Sequence, residues 1–149
     1  MRTYSLLFLL VCLVGCADSQ PVTQEAALED GVYEVLAVER DRASLPKPDA
    51  DARILVFDRQ FIKGAEDMPP AYLLLRVSGH APLDLAKPPT QGEANGRAML
   101  LLNLKPEAAK TLQTLTSKAE RAAVVVGGQV VTVHRIRVPI EGGGLQVSC

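Results

Sequence analysis

The pattern of apolar and polar residues predicts three β-strands in the first half of the chain. Residues 32–38 alternate between the two classes, so that Val32 and Tyr33 face opposite sides of a first strand. Apolar runs at 53–57 and 72–77 predict the second and third strands. Prolines and glycines between these runs predict loops, because proline removes a backbone donor and biases its neighbour toward extended turns.

The last third of the chain carries the clearest pattern. Residues 98–104 form a near-continuous apolar run, which predicts a strand buried on both faces. Pro106 then stands where the first turn of a helix tolerates proline, and Glu107 suits the positive end of the helix dipole. Apolar residues recur at helical spacing after it and predict an amphipathic helix over about 106–120, with a buried stripe made of Ala108, Leu112, Leu115 and Ala119.

A β-hairpin follows the helix. Apolar runs at 122–126 and 129–133 flank Gly127 and Gly128, the dipeptide best able to take the positive backbone angles of a two-residue turn. Residues 145–148 are few enough to form an edge strand. Together these elements predict an α+β fold, in which a mainly antiparallel sheet packs against one principal helix.

Two segments are candidates for contact with a partner. Residues 80–97 hold three prolines and two glycines and predict a long exposed connection, which is either a mobile insertion or a partner-contacting loop with Leu83 and Leu85 as its apolar tips. The predicted edge strand is the second candidate. Its main chain, with Leu145 and Val147, can add an extended peptide as a further strand.

The N-terminal residues have the anatomy of a signal peptide. A short basic opening precedes an apolar run at 6–14, which is far below the roughly 20 residues that a membrane-spanning helix needs. The run ends in Leu13-Val14-Gly15-Cys16, which resembles the lipobox of bacterial lipoproteins. An ordinary secretory signal with a chance cysteine is the alternative.

The lipoprotein resemblance implies that Cys16 is acylated and becomes the mature N-terminus. We then expect a signal peptide over 1–15, a lipidated cysteine with a flexible tether over 16–30, and a single domain over 31–149. The expected location is the cell envelope, lipid-anchored and facing the periplasm. Ala17 after the cysteine favours the outer membrane over the inner one.

Charge and cysteine content exclude some classes of function. The chain has 16 basic and 17 acidic residues, and its basic residues are scattered without the stripe of a nucleic-acid binder. Of the three cysteines, Cys12 leaves with the signal and Cys16 takes the lipid, so no internal disulfide is expected. Cys149 is either inert or pairs between molecules.

No arrangement of residues predicts catalysis. His80, with Asp84 nearby, and His134, on the strand face of Thr132, are the two histidines, and the chain has no zinc, nucleophile-elbow or phosphate-loop motif. Acidic pairs such as Glu29 and Asp30 are expected on the surface. We therefore expect no enzyme, no metal, no cofactor and no small-molecule substrate.

The order of elements in the last third resembles a known family. An apolar strand, Lys105 to Ala109, a helix holding Leu115 and Thr116, the Gly127-Gly128 hairpin, and then Pro139 and Gly142-Gly143 look like the head subdomain of the first periplasmic domain of SecD, a membrane-embedded export factor. The resemblance covers about 97–148. It departs from the family at Lys105, where a side-chain acceptor is usual, and at Gly127, where Asp is usual.

The SecD resemblance implies a fold and a contact with polypeptide, and it supplies no catalytic residues. SecD couples to protons through transmembrane helices, and we expect none after the signal here. We therefore expect a non-enzymatic binding module, tethered to the membrane by lipid, that contacts exported polypeptide or envelope proteins. The alternative is a structural or accessory envelope lipoprotein with no role in export.

Overall fold

The computed structural model describes residues 27–59, 62, 64, 65, 67–94 and 96–148. The predicted signal peptide, Cys16, most of the tether and Cys149 lie outside these residues. The described chain forms nine strands, one α-helix and a short 3-10 helix. Their bounds are β1 Gly31–Glu39, the 3-10 helix Arg42–Ser44, β2 Ala52–Phe57, β3 Ala71–Arg76, β4 Ala81–Pro82, β5 Thr90–Ala94, β6 Arg97–Asn103, α1 Pro106–Thr116, β7 Arg121–Val126, β8 Gln129–Arg135 and β9 Gly144–Ser148.

The strands form two antiparallel sheets. The larger has the order β2-β3-β1-β7-β8, with β4 paired to the start of β1, and the smaller has the order β5-β6-β9. Val32 lies opposite Val124 in the first sheet, and Leu102 lies opposite Leu145 in the second. These pairings confirm the predicted α+β fold with a mainly antiparallel sheet.

Each face of the larger sheet buries its own apolar cluster. On one face Val32, Ala122 and Val124 pack with α1 and the smaller sheet, and we call this group the helix-side cluster. On the opposite face Tyr33 and Val125 pack in a second cluster, together with side chains of β2 and β3. The predicted alternation of β1 is therefore correct at its start, and a bulge between Val35 and Ala37 shifts the register beyond it.

The helix is shorter than the predicted range of 106–120. Pro106 is at its first turn, and Lys105 at the N-cap makes no side-chain capping bond. The helix ends at Thr116 because the chain must straighten for β7, and Glu120 already accepts a hydrogen bond of 2.8 Å from the Ile136 N–H.

The hairpin and the edge strand agree with their predictions. Gly127 and Gly128 join β7 to β8 with φ angles of 57° and 75°, the left-handed backbone that a two-residue turn of this kind requires. β9 pairs with β6, and within the described residues no strand pairs with its other edge.

Two predictions for the middle of the chain are wrong. The segment 80–97 contains β4 and β5, because Ala81, Leu83 and Leu85 pack against the core while the backbone pairs with β1 and β6. β6 is not buried on both faces, since Leu101 is 39% exposed on the side away from the helix-side cluster.

Candidate functional site

An apolar groove lies between β9 and the segment that follows β8. It encloses about 330 Å³. Apolar side chains dominate its lining, and they are Val32, Val124, Ile136, Val138, Ile140 and Leu145. Gly144 and Gln146 of β9 complete one wall, and residues 136–140, which we call the arch, form the opposite wall. We call this cavity the β9 groove.

The arch is held in place from both ends. The N–H of Ile136 donates to the carbonyl of Glu120 at 2.8 Å, and the N–H of Ile140 donates to the hydroxyl of Thr116 at 2.9 Å. Both isoleucines pack against the helix-side cluster. Between them Val138 is 71% exposed. The arch is thus a fixed wall that presents one apolar side chain to solvent.

A glycine sets the path of β9 along the other wall. Gly143 has a φ of 70°, and a Cβ placed on it would lie 2.6 Å from the Cβ of Ala109 in α1. Its carbonyl accepts a hydrogen bond of 3.0 Å from the N–H of Leu104. The close approach to the helix directs β9 into the smaller sheet and leaves its other edge beside the groove.

The polar groups of the groove are cationic or neutral. Arg135 and Arg137 line it together with His134 and Gln146. Burial lowers the pKa of His134, and its Nε2 lies 3.3 Å from the hydroxyl of Thr132. The histidine is therefore mostly neutral near pH 7, and the two arginines carry the charge of the groove.

A larger cleft lies on the other side of the helix. It encloses about 660 Å³ between α1 and the strands β1 and β3. Its charges have both signs, and Glu34 and Arg76 pair with each other at 2.7 Å. Glu107, Lys110 and Lys118 add further charges of both signs along the helix. The mixture leaves no concentrated field for a ligand of one charge.

The structure corrects the candidate contact residues of the 80–97 segment. Leu83 and Leu85 are half-buried against the helix-side cluster, so they are not exposed apolar tips. Leu85 bridges to Leu104, which ties the segment to the end of β6. Leu145 and Val147 also point into this cluster, since alternate residues of a strand face the same side. Contact at the β9 edge must therefore involve main chain and Gln146.

The histidine and acidic residues have partners that the sequence did not indicate. His80 stacks on Tyr33, with ring centroids 4.7 Å apart, and its Nε2 lies 3.6 Å from Glu29. Asp84, expected near His80, instead pairs with Lys105 at 2.7 Å. Asp30 accepts a hydrogen bond of 2.7 Å from the N–H of Gly127, which fastens the hairpin turn.

No group of three or more potential metal-ligating side chains occurs in the part of the chain that the structure describes. No helix of the described residues is long and apolar enough to cross a membrane.

Arg121, Arg135 and Arg137 were missed at the sequence level. A hairpin without a bulge would place Glu120 opposite Arg135, because Val126 pairs with Gln129 at the turn. A register shift between Val124 and Val125 moves the pairing by one residue and places Arg121 opposite Arg135. The spacing of Arg135 and Arg137 is visible in the sequence. The residue that lies opposite Arg135 is not, because it depends on the bulge.

Comparisons with known proteins give a weak likeness to a solved structure. No protein family and no curated protein matches the chain. A solved structure of SecDF, described as a membrane component that enhances protein export, is 22% identical, with a TM-score of 0.46. The match covers 80% of this chain and 56% of that one.

Proposed function

We propose that this protein is a lipid-anchored module of a bacterial cell envelope that binds extended polypeptide and catalyses no reaction. The tether is supported by Leu13 to Cys16, which resemble a lipobox. The binding is supported by the β9 groove. A domain held by lipid at Cys16 acts on its partners through contact, within the reach of its tether.

The observation that carries the proposal is an apolar groove with an unpaired strand edge in its wall. Gly144, Leu145 and Gln146 line the groove, and within the described residues their strand pairs with β6 alone. An open edge presents N–H and C=O groups that an extended peptide satisfies. Apolar side chains at the base of the groove would accept alternate residues of that peptide. Extended polypeptide therefore fits this site better than a compact ligand.

The proposed partners are chains in transit through the envelope. The order of elements over 97–148 resembles the head subdomain of SecD, and this resemblance favours exported polypeptide over other envelope partners. The protein works in this proposal as an accessory that holds a segment of chain. It supplies no energy to export.

The anchor is tested by substitution of the cysteines in the intact chain. Cells labelled with a fatty acid are expected to label the wild-type protein and the Cys12→Ser control, and to leave Cys16→Ser unlabelled and released from the membrane fraction. Separation of the two membranes by density should place the wild type in the outer one. An unlabelled wild type would refute the lipid anchor.

Binding is tested on the full chain in detergent with a reduced and alkylated unfolded polypeptide. Amide hydrogen exchange at residues 144–146 is expected to slow on addition of the polypeptide, because strand addition protects the outward N–H groups of β9. The amides of β2, none of whose residues lines the groove, serve as the internal control. Unchanged exchange along β9 would refute the proposed binding site.

The link to export is tested by a photocrosslinking residue in living cells. Gln146 lies in the groove and Gln113 is exposed on the helix, so the same substitution at each gives a matched pair. Crosslinks to nascent secreted chains or Sec components from position 146 alone would support export. Crosslinks to outer-membrane assembly or cell-wall proteins instead would favour an accessory envelope role with no part in export.

A further inference from the structure

Two arginines oppose each other at the open end of the hairpin. Arg121 of β7 and Arg135 of β8 are cross-strand partners, and both side chains are exposed. Like charges directly opposite each other destabilise a sheet. The bulge between Val124 and Val125 creates this pairing, because the unbulged register would place Glu120 there.

A third arginine extends the same cationic patch. Arg137 follows Arg135 by two residues, and both line the β9 groove. Neither these two nor Arg121 takes part in an ion pair among the residues that the structure describes. We call Arg121, Arg135 and Arg137 the arginine cluster. Two of the three, Arg135 and Arg137, place positive charge on the lining of the apolar groove, and no acidic residue is among the described residues that line it.

We propose that the β9 groove selects extended peptide segments that carry acidic side chains, whose carboxylates bind Arg135 and Arg137. This inference rests on the proposed polypeptide-binding function and names the class of segment. Arginine binds a carboxylate through two parallel N–H donors, which gives direction as well as charge. An acidic residue on the bound strand also relieves the repulsion between Arg121 and Arg135.

The geometry also indicates how apolar and acidic residues alternate in the bound segment. Successive side chains of a strand point to opposite faces. When one set enters the groove over Val124 and Leu145, the other set points away from the groove base and can reach Arg135 and Arg137, which also line the groove. A segment with acidic residues at every second position and apolar residues between them therefore fits best.

An anionic lipid surface is the other chemistry that an arginine cluster suits. Val138 follows Arg137 in the chain, is 71% exposed and would favour such a surface as well. A peptide is the better occupant because the groove also contains an unpaired strand edge, which a lipid headgroup cannot satisfy along its length.

The test compares three labelled peptides of equal length that differ at alternate positions, which hold Glu, Gln or Lys. Fluorescence anisotropy with the full chain in detergent is expected to show the Glu peptide binding about tenfold more tightly than the Gln peptide, with the Lys peptide weakest. The preference should shrink as salt is raised, since salt screens exposed charges.

The variant Arg135→Gln/Arg137→Gln is expected to lose the preference for Glu, which is measured as the ratio of the affinities of the Glu and Gln peptides for that variant. Arg40 and Arg42 are also exposed and two residues apart, but they lie outside the groove, so Arg40→Gln/Arg42→Gln is the matched control and should keep the preference.

Each outcome decides between the two proposals. Equal binding of all three peptides would overturn the acidic preference and leave the polypeptide-binding function standing. Failure of all three would overturn both. Vesicles of phosphatidylcholine with and without phosphatidylglycerol provide the last comparison. Arginine-dependent retention on the anionic vesicles, without a preference among the peptides, would assign the cluster to lipid.

Discussion

Thr116 joins the helix to the arch through a single hydroxyl. The side chain is 3% exposed, donates to the carbonyl of Leu112 at 2.8 Å and accepts from the N–H of Ile140 at 2.9 Å. A residue that is unremarkable in the sequence thus holds one wall of the β9 groove, because the chain returns to it 24 residues later.

We expect Thr116→Val to lower the free energy of unfolding by about 1–3 kcal/mol, because it leaves the Ile140 N–H without its acceptor. Thr116→Ser keeps the hydroxyl and should cost less, about 1 kcal/mol for the lost methyl group. Urea unfolding of the full chain measures both values. Equal losses in the two variants would show that the hydroxyl does not hold the arch.

His134 makes the stability of the fold depend on pH. Burial lowers its pKa in the folded protein, whereas the unfolded chain takes up a proton on it below about pH 6.5. The unfolded state therefore binds more protons just below that pH, and stability falls on acidification until the folded imidazole is protonated as well.

Urea unfolding should accordingly show a lower free energy of unfolding at pH 5.5 than at pH 7.5. The variant His134→Gln keeps a polar partner for Thr132 and lacks the titrating ring, so its stability should change less over the same interval. If the variant and the wild type lose equal stability, another group is responsible.

At the scale of elements, the turn before β9 decides where the groove wall runs. Gly142 and Gly143 both have φ near 70°, but they differ in surroundings. A Cβ on Gly142 meets nothing within 4 Å, whereas one on Gly143 lies 2.6 Å from the Cβ of Ala109. Substitutions at the two positions therefore distinguish the cost of backbone strain, which both share, from the cost of the close approach to the helix, which only Gly143 has.

Gly142→Ala should cost roughly 1–2 kcal/mol, the price of the left-handed backbone for a residue with a Cβ. Gly143→Ala should cost clearly more, because the helix and β9 must also move apart. Thermal and urea unfolding measure the difference, and exchange at the β9 amides reports the displacement. Similar values for the two variants would mean that the helix yields freely at Ala109.

At the scale of the whole molecule, β1 and β7 connect the two apolar clusters. Val32 and Val124 pack on the helix side, while their neighbours Tyr33 and Val125 pack on the opposite side. Because the same strands serve both clusters, loss of packing on one face disturbs the other. We therefore expect the described domain to unfold as one unit.

Leu112→Ala tests this coupling. Leu112 is fully buried on the helix side, and its truncation should cost about 2–5 kcal/mol. Helical circular dichroism and the tyrosine fluorescence of a Tyr4→Phe/Tyr72→Phe background, in which Tyr33 on the other face is the remaining tyrosine, should shift together. Leu36→Ala is the control, since Leu36 is 40% exposed and should cost at most about 1 kcal/mol. A shift in the helical signal alone would indicate two units.

The sequence by itself determined the elements whose cause is local. Alternation predicted β1, helical spacing predicted α1, and the Gly127-Gly128 turn predicted the hairpin, because each pattern and its structure lie within a few residues of each other. The same reasoning found the edge strand over 145–148. It also supplied the lipobox resemblance at Cys16, which remains a prediction.

Only the tertiary structure decided what surrounds those elements. Leu83 and Leu85 were expected at exposed tips and lie against the core, because the pairing of their segment with distant strands leaves no local trace. The arginine cluster depends on a one-residue bulge, which reverses the charge opposite Arg135. Register and strand partners are set by the summed packing of remote segments, so no short pattern in the sequence encodes them.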